Sequence, residues 1–132
     1  MGKYRVEREI GRGAMGVVYL ALQENLNRHV ALKVLPPYFQ HDTEFLRRFL
    51  EEARRTISLR HPYIVATYEA GQANGYYYIA MEYMSGGNLA ARLRTQKRLS
   101  LEDATTIVTQ IAAALDHAHD RGLIHRDVKP SN

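Results

Sequence analysis

The chain has 132 residues, of which 45% are hydrophobic and 24% charged, and it contains no cysteine. These proportions exclude a disordered tail, a collagen and a disulfide-stapled scaffold, and the length suits one domain or one part of a domain. The formal net charge of +4 raises the question of nucleic-acid binding. However, the signs alternate along the chain, as over residues 47–55, which is typical of a solvated helix face. We therefore expect no nucleic-acid partner.

The first third of the chain predicts strands. Strand-forming residues cover 4–10, 17–20 and 29–35. A glycine-rich turn over residues 11–16 separates the first two, and a second turn over 24–28 separates the last two.

The third predicted strand has two distinct faces. Val30, Leu32 and Val34 share one face because side chains alternate along a strand, so Ala31 and Lys33 share the other. Two prolines at residues 36 and 37 then end the strand, since proline cannot donate to a sheet ladder.

The middle of the chain predicts one helix followed by a hairpin. Apolar residues spaced three and four apart indicate a helix over 43–59, which ends before Pro62. Strands are expected over 64–69 and 76–82, around a turn at 71–75.

Beyond a flexible break at Ser85–Gly87, the remaining chain is predicted to be helical. A short helix is expected over 88–95. Ser100 is the expected N-cap of a longer helix with one apolar face, and Gly122 is expected to end it in the left-handed conformation.

No leader or membrane segment is expected in these residues. Met1–Val6 lack the apolar run of a signal peptide, and no stretch approaches the roughly 18 apolar residues of a membrane helix. Because cysteine is also absent, we expect a cytoplasmic location, while a parent protein could be membrane-anchored downstream.

Gly11, Gly13 and Gly16 form a G-x-G-x-x-G motif. Glycine at these positions lets backbone N–H groups come close to phosphate oxygens, but a plain hairpin turn has the same pattern. A dinucleotide-binding fold would need a helix directly after the motif, and the strand-forming residues 17–20 follow instead. The dinucleotide-binding fold is therefore disfavoured.

Lys33 lies 17 residues after Gly16, where it could reach phosphates beneath the glycine turn while the small Ala31 leaves room for a flat ring. A solvated lysine on an edge strand is the alternative. An ammonium group in a crowded site needs a carboxylate to hold it. Glu52 on the predicted helix is the candidate, and Glu51 replaces it if the helix is rotated by one residue.

The most informative cluster is His125-Arg126-Asp127, followed by Lys129 and Asn132. An aspartate can accept a hydroxyl proton, a lysine two positions later can neutralise a transferred phosphoryl group, and an asparagine oxygen suits Mg²⁺. A polar loop after a helix is the alternative, although the five-residue pattern arises by chance far less often than the tripeptide.

Taken in order, these motifs resemble a protein kinase, in the style of the bacterial serine/threonine family. The match includes the glycine motif, Ala31-Leu32-Lys33, Glu52 nine residues before His61, Met81 at the gatekeeper position and the catalytic loop. The resemblance implies an α+β fold. A small lobe of antiparallel sheet plus the αC helix would occupy residues 1–84. The first helices and the catalytic loop of the large lobe would occupy 85–132.

The resemblance also implies phosphoryl transfer from Mg-ATP to a serine or threonine hydroxyl of a protein substrate. Lys33, held by Glu52, would grip the α- and β-phosphates. Asp127 would accept the substrate proton, Lys129 would stabilise the γ-phosphoryl group, and Asn132 would bind one Mg²⁺. The hinge, Glu82-Tyr83-Met84, would hydrogen-bond adenine through its backbone. The implied ATP-binding residues are Ile10, Gly11, Arg12, Gly13, Ala14, Met15, Gly16, Val17, Val18, Ala31, Lys33, Glu82 and Met84.

In a kinase, the Asp-Phe-Gly metal ligand and the activation loop would follow Asn132. We therefore expect the 132 residues alone to behave as a truncated kinase domain, with little or no phosphotransfer activity and an exposed apolar face on the last helix. The alternative function is a non-catalytic, pseudokinase-like module that binds a nucleotide or a partner.

Overall fold

The computed structural model describes residues 1–13, 16–39, 41–126 and 128–132. Within them the fold is α+β, with one antiparallel sheet and α-helices. The strands are β1 (Tyr4–Gly13), β2 (Gly16–Gln23), β3 (Arg28–Val34), β4 (Thr67–Ala73) and β5 (Tyr76–Glu82), in the spatial order β1-β2-β3-β5-β4. The helices are α1 (Thr43–Ile57), α2 (Leu89–Gln96) and α3 (Leu101–Asp120), and a short 3-10 helix covers Pro37–Phe39.

The chain divides into two compact units. The N-terminal unit comprises Met1–Arg60 and Val65–Tyr83, and the C-terminal unit comprises His61–Ile64 and Met84–Asn132. The sheet and α1 therefore belong to the first unit, and α2 and α3 to the second. The lobe boundary expected between residues 84 and 85 stays a prediction.

Each face of the sheet carries its own apolar cluster. On the face that holds Tyr4 and Tyr78, here called the tyrosine face, these rings pack with Val30, Leu32 and Val34. On the other face, here called the lysine face because it holds Lys33, Leu35 and Ile79 pack against α1. The alternation predicted for β3 is confirmed, and it separates the two clusters because consecutive side chains point to opposite sides.

Side chains link the two edge strands across the tyrosine face. β1 and β4 are the outermost strands, yet Tyr4 Oη donates to Glu69 Oε1 at 2.5 Å and Lys3 Nζ donates to Glu69 Oε2 at 3.0 Å. Tyr78 Oη also donates to Glu69, at 3.3 Å. One carboxylate thus joins both edges of the sheet by side-chain hydrogen bonds.

These contacts perturb the pKa values of Tyr4, Tyr78 and Glu69. Burial, together with the hydrogen bond to Glu69, raises the pKa of Tyr4 well above 10, and burial with the nearby Glu69 charge raises that of Tyr78. Partial burial pushes the Glu69 pKa upward, but hydrogen bonds from Tyr4 and Lys3 outweigh it, so the pKa falls below its ordinary value. The folded sheet therefore favours an ionised Glu69 between two neutral tyrosines.

The strand and turn expected around residues 64–75 are wrong in their boundaries. β4 begins at Thr67 rather than at residue 64, and it continues through Gly71 to Ala73. The turn contains only Asn74 and Gly75, both with positive φ, which is the geometry of a tight two-residue hairpin. Gly71 belongs to the strand because it pairs with Tyr78, and glycine is needed there because a Cβ would lie 2.7 Å from Tyr78 Oη.

Other predicted boundaries differ by a few residues. The glycine motif is partly strand, since β1 extends to Gly13 and β2 begins at Gly16, where the two residues pair. The predicted helix over 43–59 ends at Ile57. These shifts are of the size expected when backbone hydrogen bonds rather than residue types decide where an element ends.

α1 is amphipathic as its spacing predicts. Phe49 and Ala53 are fully buried against the lysine face. On the solvent side, Arg47 pairs with Glu44 at 2.6 Å and with Glu51 at 2.7 Å. The alternating charges therefore neutralise one another along the helix surface.

The C-terminal unit confirms the predicted helix caps. The Asp103 N–H donates to Ser100 Oγ at 3.1 Å at the start of α3, and Gly122 has a φ of +79° just after its end. Val108 and Ile111 are 65% and 40% exposed, whereas Ala118 is buried, so the predicted apolar face of α3 is exposed only in part. No helix among the described residues is long and apolar enough to cross a membrane.

Two histidines meet within this unit. The rings of His61 and His117 have centroids 4.9 Å apart, and His117 Nδ1 lies 3.2 Å from an Arg121 guanidinium nitrogen. The His117 Nε2 atom is buried and has no hydrogen-bond partner among the described residues. Desolvation, with the nearby Arg121 charge, lowers the pKa of His117.

Candidate functional site

The sheet register places four predicted ATP-binding residues on the lysine face. Gly11 pairs with Val18, and Val18 pairs with Lys33. Ala31 pairs with Met81 one row further along. Because directly opposed residues of an antiparallel pair project to the same side, these five residues lie on one face. The backbone ladder therefore brings the glycine motif, the lysine and the gatekeeper position together.

Of the three motif glycines, the fold itself requires only one. Gly16 has a φ of +137°, and a Cβ there would collide with the Val34 carbonyl oxygen, so the fold itself demands glycine. At Gly13 a Cβ would meet nothing within 4 Å, and at Gly11 it would come no closer than 3.8 Å to Val18. Packing within the chain does not explain these two glycines, whereas close approach of a phosphate to the backbone would explain both.

Lys33 is half-buried between these residues, and Ala31 beside it is 7% exposed. Among the described residues, Lys33 forms no ion pair with Glu52 or Glu51. Glu52 is exposed, and Glu51 is paired with Arg47 instead. The structure thus places Lys33 on the expected face without joining it to a glutamate, and the role of Glu52 stays a prediction.

The predicted hinge begins at the end of β5. The Glu82 N–H donates to the Ala66 carbonyl oxygen at 2.8 Å, and the Ala66 N–H donates to Glu82 Oε2 at 3.3 Å. Met84, in the C-terminal unit, is 56% exposed. Sequence reasoning missed the Ala66 contact because Ala66 takes part only through its backbone, which leaves no signal in the residue types.

The remaining predicted ATP-binding residues occupy different positions. Ile10 is half-buried at an irregularity in the β1–β2 pairing. Arg12 and Val17 pair with each other in the row that contains Val34, so their side chains project to the tyrosine face and only their backbones could reach a nucleotide. Ala14 and Met15 lie outside the described residues.

The predicted catalytic loop is described only in part, because Asp127 lies outside the described residues. Lys129 and Asn132 line one cavity of about 460 Å³ in the C-terminal unit, whose other walls include Leu89, Ile107 and Ile111. The Pro130 carbonyl oxygen accepts a hydrogen bond from Ala90 N–H at 2.8 Å, which ties the loop to the start of α2.

The described residues offer only part of the donor set that a magnesium ion needs. The Asn132 side chain offers one hard oxygen donor of the kind that Mg²⁺ prefers. Across residues 1–13, 16–39, 41–126 and 128–132, no group of three or more His, Cys, Asp or Glu side chains could hold a metal ion. The donor set described so far would therefore supply only part of a magnesium site.

The chain is similar to bacterial serine/threonine kinases over nearly all its length. A family model described as "Protein kinase domain" matches residues 4–132. Serine/threonine-protein kinase PknJ of Mycobacterium tuberculosis is 44% identical over 98% of this chain and 22% of its own length. Serine/threonine-protein kinase PrkC of Bacillus subtilis is 43% identical over 99% of this chain and 20% of its own length.

Solved structures of kinase domains are also similar to this chain over nearly all its length. The crystal structure of the PknI kinase domain of M. tuberculosis has a TM-score of 0.82 and 40% sequence identity, over 98% of this chain and 53% of that one. The chain thus spans about a fifth of the length of the two kinases named above and about half of the solved kinase domain. The five-stranded sheet with its helix, the motif order and these similarities together identify the chain as a member of the protein kinase family.

Proposed function

We propose that these residues belong to an ATP-dependent serine/threonine protein kinase, which transfers the γ-phosphoryl group of Mg-ATP to a hydroxyl group of a protein substrate. The observation that carries this proposal is the shared placement of Gly11, Val18, Ala31 and Lys33 on the lysine face. That placement combines backbone N–H groups, one cation and small apolar side chains, which is the combination that binding of a nucleoside triphosphate requires.

The N-terminal unit would hold the nucleotide. Gly11 and Gly13 leave open space for phosphate oxygens to approach the backbone, and the Lys33 ammonium group would neutralise phosphate charge. Ala31 and Val18 would contact the adenine ring, and the hinge that begins at Glu82 would hydrogen-bond its edge. ATP supplies the phosphoryl group, and Mg²⁺ neutralises the charge on its phosphates.

The catalytic loop would supply the remaining groups. Asp127 would orient the substrate hydroxyl and accept its proton, Lys129 would stabilise the transferred phosphoryl group, and Asn132 would bind one Mg²⁺. Glu52 would hold Lys33 if α1 presents it to that lysine in the nucleotide-bound state. The protein substrate and the cytoplasmic location stay predictions.

Calorimetric titration with Mg-ATP tests the binding part of the proposal. We expect saturable binding, and we expect Lys33→Met to weaken it by about tenfold or more, because a charge-assisted hydrogen bond to phosphate is lost. Lys97→Met, at an exposed lysine after α2, is the matched control and should bind as the unchanged chain does. No detectable binding, or equal binding by Lys33→Met, would contradict the proposal.

A second candidate is a non-catalytic nucleotide-binding module. Two observations favour it for the 132 residues alone: Lys33 has no glutamate partner among the described residues, and the sequence contains no Asp-Phe-Gly. We expect these residues to bind Mg-ATP with little or no transfer of phosphate to a protein. Robust phosphorylation that Asp127→Asn abolishes would refute this expectation and favour the enzyme.

A further inference from the structure

The contact between His61 and His117 joins two separate stretches of the C-terminal unit. His61 begins the stretch His61–Ile64, here called the 61–64 segment, and His117 lies in the last turn of α3. The two ring centroids are 4.9 Å apart, and the Tyr63 ring meets the His61 ring edge-on at 5.5 Å. The two imidazole rings therefore form a direct contact between the 61–64 segment and the helix.

Hydrogen bonds impose the same protonation state on both rings. The Tyr63 N–H donates to His61 Nδ1 at 3.1 Å, and an Arg121 guanidinium nitrogen lies 3.2 Å from His117 Nδ1. Backbone N–H groups and guanidinium groups can only donate, so each Nδ1 atom must accept with its lone pair. Because a neutral imidazole carries one proton, that proton lies on Nε2 in both rings.

A second proton on either ring would have to bind at Nδ1. On His61 it would replace the lone pair that accepts from Tyr63, so that two N–H groups would face each other. On His117 it would place a positive charge beside the Arg121 guanidinium. The His117 Nε2 atom is already buried without a hydrogen-bond partner in the part of the chain that the structure describes. Charging either ring therefore breaks the hydrogen bond at its Nδ1 atom.

The groups around His117 favour the neutral ring. The 61–64 segment contributes His61 and Tyr63 to these surroundings, and α3 and its C-cap contribute Asp120 and Arg121. Desolvation lowers the pKa of His117 most, and the nearby Arg121 and His61 add to this effect, whereas Asp120 raises the pKa. The net effect is a lowered pKa, so the surroundings stabilise the form that the contact needs.

We propose that the His61–His117 pair is a pH-sensitive contact, which holds the 61–64 segment on α3 while both rings are neutral and releases it on acidification. With both rings charged, two positive groups with centroids 4.9 Å apart would lie beside the Arg121 guanidinium and repel one another. Neither ring takes part in the Ser100 cap of α3, so release of the segment leaves the start of the helix in place. No residue of the pair belongs to the proposed nucleotide site, so the test needs no ATP.

Amide hydrogen exchange of the 132-residue chain at about pH 7.5 and about pH 5 tests the release, because imidazoles gain their charge in this range. Protection factors are compared, since they divide out the intrinsic pH dependence of exchange. We expect the protection of the Tyr63 amide to fall about fivefold at the lower pH, the effect of one lost hydrogen bond. The Ala104 amide, which donates to the Ser100 carbonyl oxygen at 2.9 Å, is the internal reference and should keep its protection.

Neutral replacements test the two rings themselves. In His61→Asn the side-chain oxygen can still accept from the Tyr63 N–H, as asparagine does in Asx turns, and in His117→Gln the amide oxygen can still accept from Arg121. The fall in Tyr63 protection should be smaller in each single variant, which keeps one titratable ring, and absent in the double variant. His119→Gln, at an exposed histidine in the same turn of α3, is the matched control and should show the full fall.

Nitrogen NMR of the unchanged chain provides a readout that needs no variant. At about pH 7.5 both rings should show a protonated Nε2 atom and an unprotonated Nδ1 atom. The protection of Tyr63 should then fall over the same pH range in which the rings gain their second proton. A neutral ring of His61 or His117 that carries its proton on Nδ1 would contradict the hydrogen bonds on which the proposal depends.

Three further results would overturn the proposal. Unchanged protection of Tyr63 at the lower pH would show that charging the rings releases nothing. An equal fall at Ala104 would show that acid loosens the whole C-terminal unit. A fall of full size in the double variant would assign the pH dependence to groups other than His61 and His117.

Discussion

Replacing Tyr4 with phenylalanine tests whether one carboxylate links the two edge strands of the sheet. The substitution removes the hydroxyl that donates to Glu69 at 2.5 Å and keeps the ring, which is 2% exposed. A hydrogen bond to a charged acceptor contributes about 1.5–3 kcal/mol. Because Glu69 keeps its bonds from Lys3 and Tyr78, we expect the lower end, a loss of about 1.5 kcal/mol in the free energy of unfolding.

Urea denaturation at pH 7 measures this loss as a lower midpoint with an unchanged slope. Combining Tyr4→Phe with Glu69→Ala, which leaves no acceptor for the hydroxyl, in a double-mutant cycle isolates the interaction, for which we expect a coupling energy of about 1 kcal/mol. Tyr76→Phe is the control, because Tyr76 lies on the same strand as Tyr78 but is 37% exposed. It should change the stability by less than about 0.5 kcal/mol.

Two results would refute the reasoning. If Tyr4→Phe were as stable as the unchanged chain, the hydroxyl would contribute nothing to the link between β1 and β4. If the losses of Tyr4→Phe and Glu69→Ala simply added in the double variant, the two groups would act independently and the contact would not join the sheet edges.

Three other measurements follow from the structure. Gly16→Ala should lower the free energy of unfolding by about 2–4 kcal/mol, because it forces a side chain into a glycine-only conformation against Val34. Gly13→Ala should leave the stability nearly unchanged, and the urea midpoints of the two variants test the difference. The pKa of Glu69 in the folded chain lies below 4.5, so the ionised carboxylate stabilises the fold above that pH and ceases to do so on further acidification. In a plot of the free energy of unfolding against pH, Glu69→Gln should flatten the decline on the acid side. The pKa of His117 lies below its ordinary 6.5, so the imidazole of the unfolded chain binds a proton more readily than that of the folded chain. The free energy of unfolding should therefore fall as the pH drops below 6.5, and His117→Gln should remove that decline. A decline of equal size in the variant would contradict the role given to His117.

Local chemistry explains what the sequence predicts correctly. The two faces of β3, the cap at Ser100 and the left-handed Gly122 each depend on residues within a few positions of one another. The grouping of Ala31 with Lys33 needs only the two-residue period of a strand. Much of the candidate nucleotide site in the N-terminal unit is therefore readable from the sequence alone.

Long-range contacts explain what could not be predicted. The Tyr4–Glu69 bond joins residues 65 positions apart on strands that are not neighbours in the sheet. The start of β4 depends on pairing with β5, which residue types at 64–66 do not reveal. The partner of Lys33 depends on the rotation of α1 and on whether Arg47 holds Glu51, and an amphipathic pattern leaves both undetermined.

The side-chain link between the two edge strands also affects the tendency to aggregate. An open edge strand offers unpaired N–H and C=O groups to strands of other molecules. In β1, exposed charged residues and two pairing irregularities make such addition unfavourable, and β4 carries fewer charges to oppose it. The contact of Glu69 with Tyr4 ties β4 to the start of β1, so loss of that contact would loosen the edge strand that carries fewer charges to oppose intermolecular strand addition.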